Sequence, residues 1–304
     1  MPAATTTQLA TQGSREIGQQ FAPTGVFVDL PGLGTCFYRQ HLNPGKHTLL
    51  LAHGMVASSG LNWFRLFPAL APHFNLIAPD MRGHGRSWPG SRGFTLERAA
   101  DDMAELLEEL QTGPVIGVGY SMGGAVVQYL WHRHPACVDG LVLAATNYRA
   151  RVARHEELFA LPFFAAMVGL GRATELFGHL PRGLLKRFLP KMADQLHEKE
   201  TRWALDEMRR TRLRTIAETG REMAVHDASD WLHEIDVPTA VVVTEQDGAI
   251  PPSHQYEMAE LIPGAETFSH DDGHLSCIDP EFGKVLAKAC LSVHKRSRKL
   301  RGSR

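Results

Sequence analysis

Short, uniformly apolar runs alternate with longer helical patterns along most of this 304-residue chain. Runs that are apolar at every position are typical of strands buried on both faces of a parallel sheet. The helical patterns between them provide the crossover connections that parallel strands need. The sequence therefore predicts an α/β fold, a mostly parallel sheet flanked by helices. The predicted buried strands are Thr48 to Ala52, Asn75 to Ala78, Pro114 to Val118, Leu141 to Ala145 and Thr239 to Thr244.

Local signals add a hairpin and several helices to this sheet. The turn sequence Pro31 to Gly34 separates two short strand patterns, which predicts an antiparallel hairpin at one sheet edge. Thr95 is a suitable N-cap for a helix that runs to about Gln111 with apolar residues at three- and four-residue spacing. Two more helices are predicted over Ser253 to Ile262 and Pro280 to His294.

The alternation stops after Thr146, and no strand pattern returns before Val237. Helical stretches punctuated by Gly and Pro fill the interval, which predicts an all-helical cap inserted between the sixth and seventh strands. We expect disordered tails at both ends of the chain. The predicted layout is a tail over 1–20, a core over 21–147 and 225–294, a helical cap over 148–224 and a basic tail over 295–304.

Composition and charge exclude several classes of protein. The formal net charge is −1, so bulk basicity gives no reason to expect a nucleic-acid partner. Four scattered cysteines form no C-x-x-C pair, which argues against a disulfide framework or a cysteine-rich zinc site. The apolar run from Leu158 to Leu170 is shorter than the roughly 20 residues that cross a bilayer. No secretory signal pattern is visible, and we expect a cytoplasmic protein.

The segment Gly119 to Gly124 (GYSMGG) lies between a predicted strand and a predicted helix. G-x-S-x-G in this setting is typical of a nucleophile elbow, a turn so tight that its neighbours must lack bulk. The turn would lift the Ser121 hydroxyl off the sheet edge and place it at the positive end of the helix. The structural alternative is that Gly123 and Gly124 only let the helix pack closely on the sheet.

A serine nucleophile needs a base, and the base needs an acid to orient it. In this architecture the expected chain order is serine, then acid, then histidine. Asp247 follows the strand Thr239 to Thr244 and is the best candidate acid, with Glu245 in reserve. His274 follows the last short strand pattern and precedes the final helix, which makes it the candidate base.

Acyl transfer also needs donors for the developing oxyanion. We predict the backbone N–H groups of Met122 and Met55, the latter in the loop after the strand Thr48 to Ala52. We expect His53, Gly54 and Tyr120 to contact substrate.

The stretch from about Thr48 to Leu291 resembles the α/β-hydrolase superfamily, in its esterase- and lipase-like branch with a helical cap. The resemblance implies an α/β-hydrolase fold with Ser121 as nucleophile, His274 as general base and Asp247 as its partner, and no cofactor. Serine at the elbow argues against the dehalogenases and epoxide hydrolases, which carry aspartate there. The matching motifs are His53-Gly54, Asp80 to Ser87 (DMRGHGRS), Gly119 to Gly124, the Asp247 loop with Ile250-Pro251-Pro252, and Gly273-His274.

The expected activity is hydrolysis of a small-molecule carboxylic ester through an acyl-enzyme, with a hydrophobic acyl pocket under the cap. Acyl transfer or perhydrolysis by the same triad is a second possibility, and a slow or non-catalytic ligand-binding protein on the same fold is a third. Product analysis separates the first two, and labelling of Ser121 by a fluorophosphonate separates both from the third.

Other polar clusters receive structural interpretations. We expect Asp80 to Ser87 to form a structural turn after its strand. His132 and His134 lie on different faces of a helix, and His270 and His274 have no further partner at motif spacing, so no metal site is predicted. The basic segment Arg182 to Lys191 and the basic tail could make a weak contact with an anionic membrane.

Overall fold

The computed structural model describes residues 22–88, 93–150 and 196–302. In these ranges the chain forms an eight-stranded sheet in the order β1-β2-β4-β3-β5-β6-β7-β8. The first hairpin joins antiparallel to β4, and every pairing from β4 to β8 is parallel. The strands are β1 (Gly25–Leu30), β2 (Gly34–His41), β3 (Thr48–Ala52), β4 (Asn75–Pro79), β5 (Val115–Tyr120), β6 (Val138–Ala144), β7 (Thr239–Thr244) and β8 (Glu266–His270).

The sequence pattern that predicted the strands matches their burial. Every residue of β3, β5 and β7 is buried, because helices cover both faces of the central strands. The edge strand β8 is more exposed. The mostly parallel sheet and the predicted hairpin are both confirmed.

Helices cover the sheet on both faces, and each face has its own apolar cluster. The described helices of the core are α1 (Ser59–Trp63), α2 (Phe67–Leu70), α3 (Leu96–Glu109), α4 (Met122–Arg133), α7 (Pro252–Leu261) and α8 (Pro280–Gly302), and those of the insertion are α5 (Glu198–Arg209) and α6 (Leu213–Val225). One cluster includes residues of α3, α4 and α7, and the other includes residues of α1, α2 and α8.

Helix α3 shows how local sequence sets an element. Thr95 has extended backbone angles, and its side chain accepts a hydrogen bond from Arg98 N–H, as an N-cap does. The apolar stripe that begins at Leu96 and continues through Met103 and Leu107 is buried. The helix ends at Glu109, close to the predicted end at Gln111.

The insertion lies between β6 and β7, as predicted, and α5 and α6 are its described helices. Its two ends run side by side: Ala150 N–H donates to the His226 carbonyl at 2.7 Å, and Ala228 N–H donates to the Tyr148 carbonyl at 2.8 Å. We call these paired segments, Tyr148–Ala150 and His226–Ala228, the stem. The predicted apolar run Leu158 to Leu170 and the basic segment Arg182 to Lys191 lie outside the described residues, as does the predicted tail over 1–20.

The prediction of a disordered tail over 295–304 is wrong for residues 295–302, because α8 continues to Gly302. Ser297 is buried, and Arg296 donates to the carbonyl oxygens of Thr239 and Gly264. Arg301 forms an ion pair with Asp139. Basic side chains near a helix C-terminus also interact favourably with its dipole, so these residues stabilise a helix rather than a coil. No helix within the described ranges has the length and apolarity to cross a membrane.

Candidate active site

The turn between β5 and α4 holds Ser121 in a conformation that non-glycine residues rarely adopt. Its φ is 54° and its ψ is −123°, and it directly precedes the first residue of α4. A Cβ on Gly119 would lie 2.3 Å from the Gly123 carbonyl oxygen, and a Cβ on Gly123 would lie 2.0 Å from the Ala52 carbonyl oxygen. The glycines are therefore required by close backbone contacts, and the turn has the properties of a nucleophile elbow.

Of the three side chains predicted for the relay, His274 lies between the other two and within hydrogen-bond distance of each. His274 Nε2 is 2.9 Å from Ser121 Oγ, and His274 Nδ1 is 2.8 Å from Asp247 Oδ2. Because an ionised carboxylate only accepts, the Nδ1–H donates to Asp247, which leaves Nε2 to accept from the Ser121 hydroxyl. The arrangement can remove a proton from Ser121 and stabilise the imidazolium that forms.

Asp247 is held as a carboxylate at the end of β7. Its side chain has no solvent exposure. Burial raises the pKa of this carboxyl, but the hydrogen bond and charge of His274, together with the donors Ile250 N–H and Thr244 Oγ1, outweigh burial and leave the pKa below its ordinary value of 3.8. These donors lie 2.8 Å from its oxygens, as does Ala249 N–H. Glu245, the reserve candidate, instead accepts from the exposed Tyr256 hydroxyl.

The loop after β3 runs past Ser121. A Cβ on Gly54 would lie 3.4 Å from Ser121 Cβ, so the Gly54 backbone is adjacent to this serine. Gly54 N–H donates to Asn62 Oδ1 at 2.9 Å, and Ala57 N–H donates to the Gly54 carbonyl at 3.3 Å. Met55 lies between these two donors. Met122 begins α4, so its N–H has no acceptor within the helix.

His53 has the contacts of a structural residue, and its predicted contact with substrate stays a prediction. It is fully buried. Met81 N–H donates to its Nε2 at 3.0 Å, and its Nδ1–H donates to the Gly54 carbonyl at 2.8 Å. Burial lowers the pKa of His53, which keeps the ring neutral, in line with this donor and acceptor pair. His53 joins the loop after β3 to the loop after β4.

Tyr120 also has structural contacts, and its predicted contact with substrate stays a prediction. Its side chain is buried against the rings of Trp63 and Phe282. Its hydroxyl donates to the main-chain carbonyl of His274 at 2.7 Å. Gly54, the third predicted substrate contact, has its backbone next to Ser121.

The turn Asp80 to Ser87 has structural contacts, as its interpretation from the sequence requires. Asp80 accepts from the Ser59 N–H and hydroxyl and from Arg86 N–H, at 2.6 to 2.8 Å. Sequence reasoning missed Asn62 and Glu207, a buried residue of α5 that contacts Ser58 and Arg86. Neither belongs to a motif, and each is separated along the chain from the residue that it contacts.

Among the described residues, His270, Asp272 and Asp279 could reach one metal ion, since one ligand atom from each lies within 4.8 Å of the others. His270 Nε2 is already 3.1 Å from Asp279 Oδ2, which is an ordinary histidine–carboxylate hydrogen bond. None of the three belongs to the Ser121–His274–Asp247 relay.

A family model described as the alpha/beta hydrolase fold matches residues 47–281, and the chain belongs to this family. It is 30% identical over 228 residues to the pimeloyl-[acyl-carrier protein] methyl ester esterase of Neisseria meningitidis, covering 70% of this chain and 80% of that protein. It is 40% identical over 99 residues to lipase LipV of Mycobacterium tuberculosis, covering 33% of this chain and only 37% of the length of that lipase.

A solved hydrolase from Pseudomonas aeruginosa is similar in structure, with a TM-score of 0.71 and 25% sequence identity. The match covers 89% of this chain and 98% of that chain. The fold and family are those predicted from the sequence, and the protein is an α/β hydrolase with esterase and lipase relatives.

Proposed function

We propose that this protein is a serine hydrolase that cleaves carboxylic esters through an acyl-enzyme. The observation that carries the proposal is the continuous contact from Ser121 Oγ through His274 to Asp247, at 2.9 and 2.8 Å. The names of the two relatives, a methyl ester esterase and a lipase, favour esters over other acyl substrates.

In the acylation step, Ser121 Oγ attacks the carbonyl carbon of the ester as His274 Nε2 takes the hydroxyl proton. The carbon–oxygen bond to the alcohol then breaks, and His274 returns the proton to the departing alkoxide. In the second step His274 takes a proton from water as the water attacks the acyl-enzyme. The bond to Ser121 Oγ then breaks, His274 returns the proton to Ser121 Oγ, and the carboxylic acid is released. Asp247 stays ionised and holds the imidazole in place throughout.

The charge that develops on the carbonyl oxygen needs preorganised donors. We assign this role to the N–H groups of Met122 and Met55. Both residues lie close to Ser121, which supports this assignment. Met122 follows Ser121 at the start of α4, and Met55 follows Gly54, whose backbone adjoins Ser121. Removing one such donor costs about 3–4 kcal/mol of barrier in enzymes of this type.

The acyl group would lie under the insertion. Met55 is partly buried and packs against the apolar cluster that contains α3 and α4, so its side chain offers an apolar border next to Ser121. We therefore expect esters of apolar acids to be better substrates than esters of charged acids.

The test is hydrolysis of p-nitrophenyl esters with acyl chains of two to sixteen carbons by the full chain and by Ser121→Ala. Ser253→Ala, at an exposed serine of α7, is the matched control. We expect turnover and fluorophosphonate labelling in the wild type and the control, and neither in Ser121→Ala.

Full activity of a folded Ser121→Ala variant would contradict the proposal. A folded wild type that neither labels nor turns over would point instead to a ligand-binding protein. Formation of a new ester or peracid when an alcohol or hydrogen peroxide is added would place the main activity in acyl transfer or perhydrolysis.

A further inference from the structure

A carboxylate from the insertion contacts the loop that carries Met55. Glu207 lies in α5, and its Oε2 accepts a hydrogen bond from Ser58 Oγ at 2.5 Å. The Glu207 side chain is only 1% exposed. Ser58 ends the segment Gly54–Ser58, which we call the oxyanion loop, and its side chain also caps α1 by accepting from Leu61 N–H.

The contact continues from Ser58 to the residue before Met55. The Ser58 carbonyl accepts from Asn62 N–H at 3.0 Å, and Asn62 Oδ1 accepts from Gly54 N–H at 2.9 Å. Both Ser58 and Asn62 are buried. Three hydrogen bonds therefore connect the carboxylate of Glu207 to Gly54, and Gly54 fixes the direction of the peptide that ends in Met55 N–H.

Arg86 makes Glu207 a strong acceptor. Its guanidinium donates to both carboxylate oxygens, at 3.0 and 2.7 Å. Burial raises the pKa of Glu207, but the hydrogen bonds and charge of Arg86 outweigh it, so the pKa is lowered and the side chain is ionised at neutral pH. Hydrogen bonds that involve ionised groups are stronger than neutral ones.

The same helix offers a second ion pair that does not reach this loop. Glu200 lies seven residues before Glu207 on α5, and its carboxylate accepts from Arg65 at 2.9 Å. Its side chain is 7% exposed. Both pairs join the insertion to the core, but of the two carboxylates it is Glu207 that contacts Ser58.

From these contacts we propose that Glu207 is a positioning residue for the hydrolytic reaction: through Ser58 it holds the oxyanion loop so that Met55 N–H points at the developing oxyanion. The inference rests on the proposed function. It gives the insertion a part in transition-state stabilisation as well as in covering the site.

The test compares Glu207→Gln and Ser58→Ala with the matched control Glu200→Gln in the full chain. Two experiments are carried out. Steady-state kinetics gives kcat and KM for p-nitrophenyl butyrate, and hydrogen–deuterium exchange is measured for the peptide that contains residues 54–62. For both test variants we expect kcat to fall about tenfold or more with KM within about twofold, since one oxyanion donor is worth 10²–10³ in rate. We expect faster exchange in the loop, and neither change in Glu200→Gln.

Unchanged loop exchange in the test variants overturns the proposal, and so does faster exchange with unchanged kcat. An equal loss of kcat in Glu200→Gln also overturns it, because the effect would then come from docking of the insertion in general. If Glu207→Gln fails to fold, Glu207→Asp decides, since it keeps the charge beside Arg86 and shortens the reach to Ser58, whereas Ser58→Ala also removes the N-cap of α1. A wild type without ester turnover refutes the proposed function, while the exchange data still decide whether Glu207 holds the loop.

Discussion

The Tyr120 hydroxyl donates to the main-chain carbonyl of His274 at 2.7 Å, so the residue before the proposed nucleophile Ser121 holds the backbone of the proposed base. The two residues are 154 positions apart in the chain. Strand β5 thus carries Ser121 at its end and anchors the His274 loop from beneath, which fixes the separation of hydroxyl and imidazole.

This contact predicts a measurable effect of Tyr120→Phe. The substitution keeps the ring in its buried site and leaves the His274 carbonyl without its donor. A net hydrogen bond is worth about 1 kcal/mol, so we expect kcat for a p-nitrophenyl ester to fall about fivefold with little change in KM. Tyr256→Phe, which removes an exposed hydroxyl bonded to Glu245, is the control and should leave kcat unchanged. Equal rates in both variants would contradict the supporting role of Tyr120.

Asp247→Asn should leave the fold intact and remove most of the activity. An amide at this position presents either a donor or a weaker acceptor to His274 Nδ1, which disturbs the tautomer that the base needs. We expect kcat to fall about 10³- to 10⁴-fold, as in other serine triads. Asp271→Asn, at an exposed carboxylate bonded to Gln246, should retain wild-type kcat. A loss under tenfold in Asp247→Asn would reassign the acid.

The lowered pKa of Asp247 predicts a pH-dependent contribution to stability. Its folded-state pKa lies below the ordinary value of 3.8, so the contribution is present above that value and is lost as pH falls through the folded pKa. Chemical unfolding at several pH values from 7 to 3 should show wild type more stable than Asp247→Asn at pH 7. The difference should shrink below about pH 4. A difference that stays constant with pH would show that the lost stability does not come from the charge.

Gly123→Ala should destabilise the protein, because its Cβ would lie 2.0 Å from the carbonyl oxygen of Ala52, the last residue of β3. Neither backbone can move away without disturbing the sheet, so we expect a loss of about 3 kcal/mol or more in the free energy of unfolding. Gly302→Ala, where a Cβ meets no atom within 4 Å, is the control and should be neutral or slightly stabilising. Urea unfolding of both variants measures the difference, and a neutral Gly123→Ala would show that the elbow tolerates bulk.

The sheet and the relay could be predicted from sequence for local reasons. Strands such as Thr48–Ala52 and Thr239–Thr244 are apolar apart from their terminal threonines, and their bounds in the structure are those that the pattern predicts. Parallel strands end at one edge of the sheet, so residues placed after β5, β7 and β8 were expected to converge. The glycines of the elbow identify Ser121 because only a very tight turn needs them.

The features that could not be predicted depend on contacts between segments that are far apart in the chain. The end of α8 has the composition of a basic tail. Its helical structure depends on contacts with Asp139 in β6 and with the Thr239 carbonyl in β7. The directions of the His53 and Tyr120 side chains depend on Met81 N–H and the His274 carbonyl, and no local pattern indicates either partner. Position next to a motif is therefore a weak guide to the direction of a side chain.

At the stem the chain enters and leaves the insertion at one place, since the segments Tyr148–Ala150 and His226–Ala228 lie side by side. A module that enters and leaves the sheet at one place can be exchanged for another without shifting strand register. The buried pair of Glu207 and Arg86 limits that freedom. If Glu207 holds the oxyanion loop as proposed, a grafted replacement would need an acid that faces Ser58 to keep the loop in place.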